Sequence, residues 1–153
     1  MPKKSEHKVK IIVAGIIRKD GKYLLVSEGK KKGQLWSPPQ GKLDHRENIL
    51  KAIVREIKEE TTLNFRPSKI VLPIVVREHS QRGVVSLKFF IEGSWSGIPK
   101  PSNEVEKVNF FSVDEIKKMH LRTPEMKHFI GKIDAKRYLP LSILYTFITD
   151  QQH

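Results

Sequence analysis

Apolar positions along the chain repeat with two different periods. "VKIIVAGII" (9–17) and "YLLVS" (23–27) are near-continuous apolar runs rich in β-branched residues. "KDGK" (19–22) lies between them, and Asp-Gly readily takes the positive φ of a tight turn, so the segment predicts two strands around a hairpin. In "LWSPPQGKL" (35–43), Pro38 and Pro39 exclude regular helix. From about Asn48 to Thr61 the period lengthens: Ile49, Leu50, Ile53, Val54 and Ile57 recur at three- and four-residue spacing. That spacing predicts a helix with one apolar face.

Beyond Pro67 the pattern returns to strands. "KIVLPIVVREH" (69–79) reads as one strand, with Pro73 marking an edge position or a bulge. "SQRG" turns into "VVSLKFFIEGSW" (84–95), "SGIPKPSN" is a loop, and "VEKVNFF" (105–111) is a short strand. "SVDEIKKM" opens a helix with Ser112 as N-cap and Glu115 at the capping-box position. "RTPEMKHFIG" predicts another, with Thr123 as cap and Pro124 at the first helical position. The segment "RYLPLSILYTFITD" (137–150) predicts a docked C-terminal helix starting near Pro140. No repeat, low-complexity stretch or domain boundary interrupts residues 1–153. The order β-β-loop-α-β-β-β-α implies one domain of the mixed α/β (α+β) class, a mixed β-sheet sandwiched between helices.

Composition narrows the setting. The 153 residues contain no cysteine, which excludes disulfides and thiolate metal sites and fits a reducing cytoplasm. "IIVAGII", behind the basic start "MPKKSEHKVK", is only seven residues long, too short for a membrane span, and no signal-peptide cleavage site follows it. Against 17 acidic residues stand 29 Lys and Arg, for a formal net charge of +12. Such a balance attracts anionic substrates such as nucleotides, or RNA. Most of these lysines are scattered and serve solubility. The densest run, "GKKKGQ" (29–34), reads as a solvated loop or a phosphate-attracting rim.

Within this basic chain, "REIKEETT" (55–62) places Glu56, Glu59 and Glu60 within five positions. Like charges at these spacings destabilise an isolated helix by about 0.2–0.5 kcal/mol per pair. On a helical wheel the three fall within roughly a third of the circumference and border the apolar face, where a sheet or loop forms the other wall of a cleft. Carboxylates converging there repel unless a hard divalent cation binds them, and oxygen ligands with retained waters suit Mg²⁺ or Mn²⁺. Arg55 can pair with Glu47 across the loop. Taken alone, three glutamates and an arginine on a helix also describe a solvated, salt-bridged surface.

The longer spacing separates these readings. "GKLDHRENILKAIVREIKEETTL" (41–63) resembles the Nudix box, G-x5-E-x7-R-E-U-x-E-E-x-G-U with U apolar. Gly41, Glu47, Arg55, Glu56, Ile57, Glu59, Glu60 and Leu63 are in register, eight of nine specified positions. Thr62 replaces the second glycine. Glycine there supplies a left-handed helix cap, which β-branched threonine resists, so Thr62 is expected to alter helix termination at a cost of about 1 kcal/mol. The resemblance implies the Nudix fold and a Mg²⁺-dependent hydrolase of acid anhydrides. It implies Glu56, Glu59 and Glu60 as metal ligands with the Gly41 carbonyl, and Glu47 with Arg55 as a structural pair. A later acid often serves the attacking water in this family; Glu104 in "SNEVEKVNFF" is the candidate and Glu106 the alternative, both also readable as surface charges.

"GKYLLVSEG", "LWSPPQGKL", "NEVEKVNFFSVDEI", "LRTPEM" and "KRYLPLSIL" are similar, in order, to segments of a phosphatase branch of that family. "LRTP" and "RYLP" weigh most, since the box does not require them. The branch implies nucleoside di- or triphosphates, or hydroxymethylpyrimidine pyrophosphate, as substrates. Gln40, Lys42 and the extra leucine of "RYLP" depart from it. Lys42 is either a phosphate contact or a surface lysine. Trp36 can stack on a base, although an aromatic between a strand and two prolines also suits the core. Arg137 and Tyr138 can close a pocket, or Tyr138 can dock the last helix. His79, without a His or Cys partner at ligand spacing, makes no zinc site. An RNA 5′-pyrophosphohydrolase or dinucleoside polyphosphate hydrolase is the second reading, favoured by the charge and "PPQGK". A non-catalytic nucleotide-binding module is the third, disfavoured by the intact glutamates. The expected partner is a small anionic diphosphate substrate; monomer and homodimer stay open.

Overall fold

In a computed structural model, described for residues 8–29, 33–79, 83–133 and 137–144, the Asp20–Gly21 turn forms as its residues predict. Both take positive φ, 51° and 73°. The flanking strands divide between two sheets, however. β1 (Lys8–Ile16) stops before Ile17, and only the short β2 (Arg18–Lys19) pairs with β3 (Lys22–Ser27) across the turn. Further strands are β4 (Trp36–Ser37), β5 (Gln40–Lys42), β6 (Asn64–His79), β7 (Val84–Ser96), β8 (Lys107–Phe111) and β9 (Tyr138–Pro140). The larger sheet has the order β5-β1-β7-β6-β9; β1 and β7 are parallel, and its other pairs are antiparallel. In the smaller sheet β3 pairs with β2, β4 and β8, all antiparallel.

The helices are α1 (Ile49–Thr61), α2 (Val113–Lys118) and α3 (Met126–Phe129). Period-two alternation in the central strands sends neighbouring side chains to opposite sides. Val13, Leu24 and Ile91 join Ala52, Ile53 and Ile57 of α1 in one core cluster. Ala14, Leu25 and Phe90 join Ile116 of α2 and Met126 and Phe129 of α3 in another. Strands buried on both faces explain the continuous apolar runs. The expected layering, mixed sheet between helices, is therefore the one observed.

Four local expectations need correction. β6 starts at Asn64, before Pro67, and runs through both prolines; its ladder with β7 shifts register between Pro67 and Lys69 and between Val71 and Val75. Proline has no N–H for the ladder, so the register shifts just after Pro67 and across Pro73 without ending the strand, and Pro73 sits at a bulge. On α1 the buried positions are Ala52, Ile53, Ile57, Glu60 and Thr61, while Val54 is 37% exposed. The buried face is thus rotated towards the acidic residues. Ser112 and Glu115 form the expected capping box of α2, but α3 begins at Met126, beyond Pro124. The Thr123 side chain is spent on a tertiary contact instead of capping. Finally, Tyr138–Pro140 is strand β9 on the edge of β6, followed by a 3-10 turn at Leu141–Ile143, rather than the start of a helix. The remainder of the expected C-terminal helix lies outside the described residues, as does the centre of the basic loop at 30–32.

Candidate active site

Asn48 fixes the start of α1 by accepting the N–H groups of Leu50 and Lys51 at 3.1 and 2.9 Å. From there the glutamate positions follow by helical geometry. α1 ends in the left-handed cap that the box glycine would provide: Thr62 itself adopts φ 64°, ψ 0°, and its N–H reaches the Lys58 carbonyl. Helix termination is unaltered, contrary to expectation. The Thr62 hydroxyl donates to the Ile98 carbonyl at 3.2 Å, a tertiary contact glycine lacks, which offsets part of the strain.

Arg55 organises the acidic residues around it. Its Nε and Nη2 donate to the two Glu47 oxygens at 2.6 and 3.0 Å. Its Nη1 donates to Glu56 at 2.8 Å and Glu59 at 3.2 Å, and Nη2 also reaches the Lys42 carbonyl at 3.2 Å. One guanidinium fork thereby ties the loop before α1, β5 and the helix. The same contacts hold the Glu47 carboxyl below its usual range and push the Arg55 guanidinium above its own. Repulsion among the glutamates is met partly from within the motif.

Gly41 stands on β5 directly over this group. A side-chain carbon there would lie 2.0 Å from a Glu56 oxygen, so any larger residue would push that carboxylate off its bond to Arg55. Glu60 is 8% exposed, and its Oε2 accepts the Gln40 backbone N–H at 3.2 Å. Burial first, then the charges of Glu56 and Glu28, push its carboxyl up to about 8; the Gln40 N–H and Arg122 oppose them. Burial also raises Glu56, against the pull of Arg55. Among the described residues no three acids or histidines are drawn into one metal-ligating group. The motif's carboxylates instead contact Arg55 and the β5 backbone. An all-oxygen donor set of this kind fits a hard divalent cation.

A cleft of about 350 Å³ opens here, lined by Gln40, Gly41, Lys42, Glu56, Glu59 and Glu60, together with Glu28, Asn103, Glu104 and Arg122. Glu104 thus reaches the cleft from the loop before β8. Glu106 does not line it; its carboxylate fills the space beside Gly29. Trp36 is also outside the cleft, half-buried, with its ring edge-on to Phe111 at 4.8 Å, and base stacking by it has no support in this geometry. Its backbone nevertheless bears on the site, because the Trp36 carbonyl accepts the Arg122 N–H. Tyr138 is 44% exposed on β9, beneath the Lys69 ammonium at 4.7 Å, and neither it nor Arg137 lines the cleft. His79 ends β6.

Sequence context does not single out Glu28, Gln40, Asn103 or Arg122 as site residues, yet all four line the cleft. In the sequence Gln40 stands out only as a departure from the branch and Arg122 only as part of "LRTP". Arg122 pairs with Glu28 at 2.8 Å, and Gln40 ends a separate polar chain that runs through Thr123. Thr123, fully buried, donates to the Gln40 side-chain oxygen at 3.1 Å and accepts from Lys88 at 3.5 Å. Lys88, its ammonium destabilised by burial, also donates to Glu125 at 2.9 Å.

Comparison with known proteins gives this arrangement its class. Residues 6–132 match the family model described as the NUDIX domain, and the chain belongs to the Nudix family of hydrolases. It is 25% identical over 139 residues to Phosphatase NudJ of Shigella boydii serotype 4 (strain Sb227), covering 90% of this chain and 91% of that protein. Among solved structures, a NUDIX hydrolase from Nitrosomonas europaea superposes with a TM-score of 0.80 at 30% identity, covering 92% of this chain and 98% of the other. The E. coli ORF135 protein gives a TM-score of 0.72 at 25% identity, covering 84% and 94%.

Proposed function

We propose that the protein hydrolyses a phosphoanhydride bond in a nucleoside di- or triphosphate, or in a related small diphosphate metabolite, with Mg²⁺ as cofactor and Mn²⁺ as a substitute. The observation that carries this reading is the cleft in which Glu56, Glu59 and Glu60 face Lys42 and Arg122 within one small volume. Glu56, Glu59, Glu60 and the Gly41 carbonyl would hold the cation, which when bound supplies charge neutralisation to the diphosphate and acidity to a water. Arg55 and Glu47 keep those carboxylates in place. Lys42 contacts a phosphate oxygen. Glu104, arriving from the opposite loop, accepts the proton of the attacking water. The likeness to Phosphatase NudJ supports release of orthophosphate from the chain end.

The test is a panel with product analysis: nucleotides, dinucleoside polyphosphates, hydroxymethylpyrimidine pyrophosphate and 5′-triphosphorylated RNA, each with and without Mg²⁺. Nucleoside di- or triphosphates should yield orthophosphate only with the metal. Glu59→Gln and Glu60→Gln should each lower turnover at least about 100-fold. Unchanged turnover in both variants rejects the assignment, and selective action on RNA ends redirects it.

A further inference from the structure

Opposite the glutamate helix, residues 121–123 alternate between core and cleft. Leu121 is 8% exposed in the core, and Thr123 is fully buried. Trp36 pins the segment between them. Its N–H reaches the His120 carbonyl at 3.4 Å, its carbonyl accepts the Arg122 N–H at 2.8 Å, and Trp36 bridges Leu121 in parallel. Thr123 is bonded to Gln40, whose own N–H holds Glu60, so this wall is stapled to the α1 wall through β5. Only Arg122, between the two buried residues, faces the cleft, with its side chain 42% exposed. Its backbone is fixed on both sides while its guanidinium stays accessible. That is the mounting a ligand contact requires, and a solubilising arginine does not need it.

Charge gives the ligand's chemistry. Five glutamates line the cleft, Glu28, Glu56, Glu59, Glu60 and Glu104, with Lys42 and Arg122 as the lining cations. Arg122 Nη1 meets Glu28 Oε1 at 2.8 Å. A guanidinium offers five donors in a planar fork, and one carboxylate oxygen does not exhaust them. Planar forks match the oxygens of a phosphate better than an ammonium does. We propose that Arg122 is a substrate-binding residue that grips the diphosphate from the wall opposite α1, with Glu28 orienting its guanidinium before the ligand arrives. This rests on the reading of the cleft as a diphosphate-hydrolysing site. It adds a contact lying outside the glutamate motif, about sixty residues beyond it in the chain.

The experiment measures equilibrium binding of methylenediphosphonate, a diphosphate that cannot be hydrolysed, to the full chain with Mg²⁺ by calorimetry. Arg122→Gln should weaken binding about tenfold or more, and Arg122→Lys should recover part of it. Lys117→Gln on α2 removes the same charge away from the cleft and should bind as the wild type does. Equal affinity in Arg122→Gln, an equal loss in Lys117→Gln, or no binding by the wild type overturns the proposal. Circular dichroism confirms that the exposed substitution leaves the fold intact. Wild-type protein that binds the diphosphonate through Arg122 but releases no phosphate from any nucleotide would refute the hydrolytic reading alone. Normal turnover and binding in Arg122→Gln would refute the arginine's role alone.

Discussion

Glu60 supports a prediction with a definite sign and magnitude. Its carboxyl lies at about 8 in the folded protein, against 4.5 ordinarily, because burial and the neighbouring Glu56 and Glu28 disfavour the anion. The folded state therefore holds this proton more tightly than the unfolded chain does. Its contribution is fully present below pH 4.5 and is lost as pH rises to about 8, then stays flat. Each pH unit in that window is worth about 1.4 kcal/mol, which sets a ceiling of about 5 kcal/mol. Glutamine keeps an acceptor for the Gln40 N–H and cannot ionise. Metal-free Glu60→Gln should therefore gain stability over the wild type progressively between these pH values, even though it loses turnover. For a domain of this size about 2–4 °C accompanies each kcal/mol, so a gap of ~3 kcal/mol is about 10 °C in Tm. Thermal or urea unfolding of both proteins in chelator, from pH 4.5 to 9, measures it. Saturating Mg²⁺ at the alkaline end should stabilise the wild type more than the variant. Parallel stability curves across the whole range would refute the reasoning, because Glu60 would then carry no unfavourable charge.

Three further substitutions probe the same architecture. Gly41→Ala places a methyl group against the Glu56 carboxylate and should lower turnover at least about tenfold while destabilising by about 1–3 kcal/mol, checked by kinetics and urea unfolding. Thr62→Gly removes the left-handed strain at the end of α1 but also the hydroxyl bond to Ile98, for a net stabilisation of about 0.5–1 kcal/mol in Tm and denaturant midpoint, with activity unchanged. Thr123→Val keeps the shape but breaks the link between Lys88 and Gln40; it should cost about 1–3 kcal/mol by chemical unfolding and raise KM more than it lowers kcat, as Gln40 loses its anchor.

Much of the site was legible because its spacing is a local property of one helix and the loop before it. Helical periodicity alone brings Glu56, Glu59 and Glu60 to one side of α1 and puts Arg55 within reach of Glu59 a turn later. Glycine at position 41 and an acid at position 47 complete a pattern that chance seldom reproduces. The capping box at Ser112 and the Asp20–Gly21 turn were equally readable, since each depends on residues no more than a few positions apart. Trp36 shows where this kind of reading fails. A tryptophan beside two prolines suits a base-stacking wall and a core equally well, and only the packing of Phe111 against it decides the matter.

By itself, then, the sequence determined the main strands on either side of α1, the acidic helix itself and its arginine clamp, because period, caps and charge spacing act over single turns, whereas strands β4, β5 and β9 exist only through their tertiary pairing. Tertiary structure decided what faces that helix. Glu28, Gln40 and Arg122 come from three separate segments, and no short-range signal links them. Thr123 looks like a helix cap until Gln40 and Lys88 compete for its hydroxyl, and a buried tertiary hydrogen bond prevails over a local one. Thr62 carries the same lesson at the end of α1. Local propensity argues against a threonine in the left-handed region, yet the helix must turn there to enter β6, and the packing of the sheet enforces the strained cap.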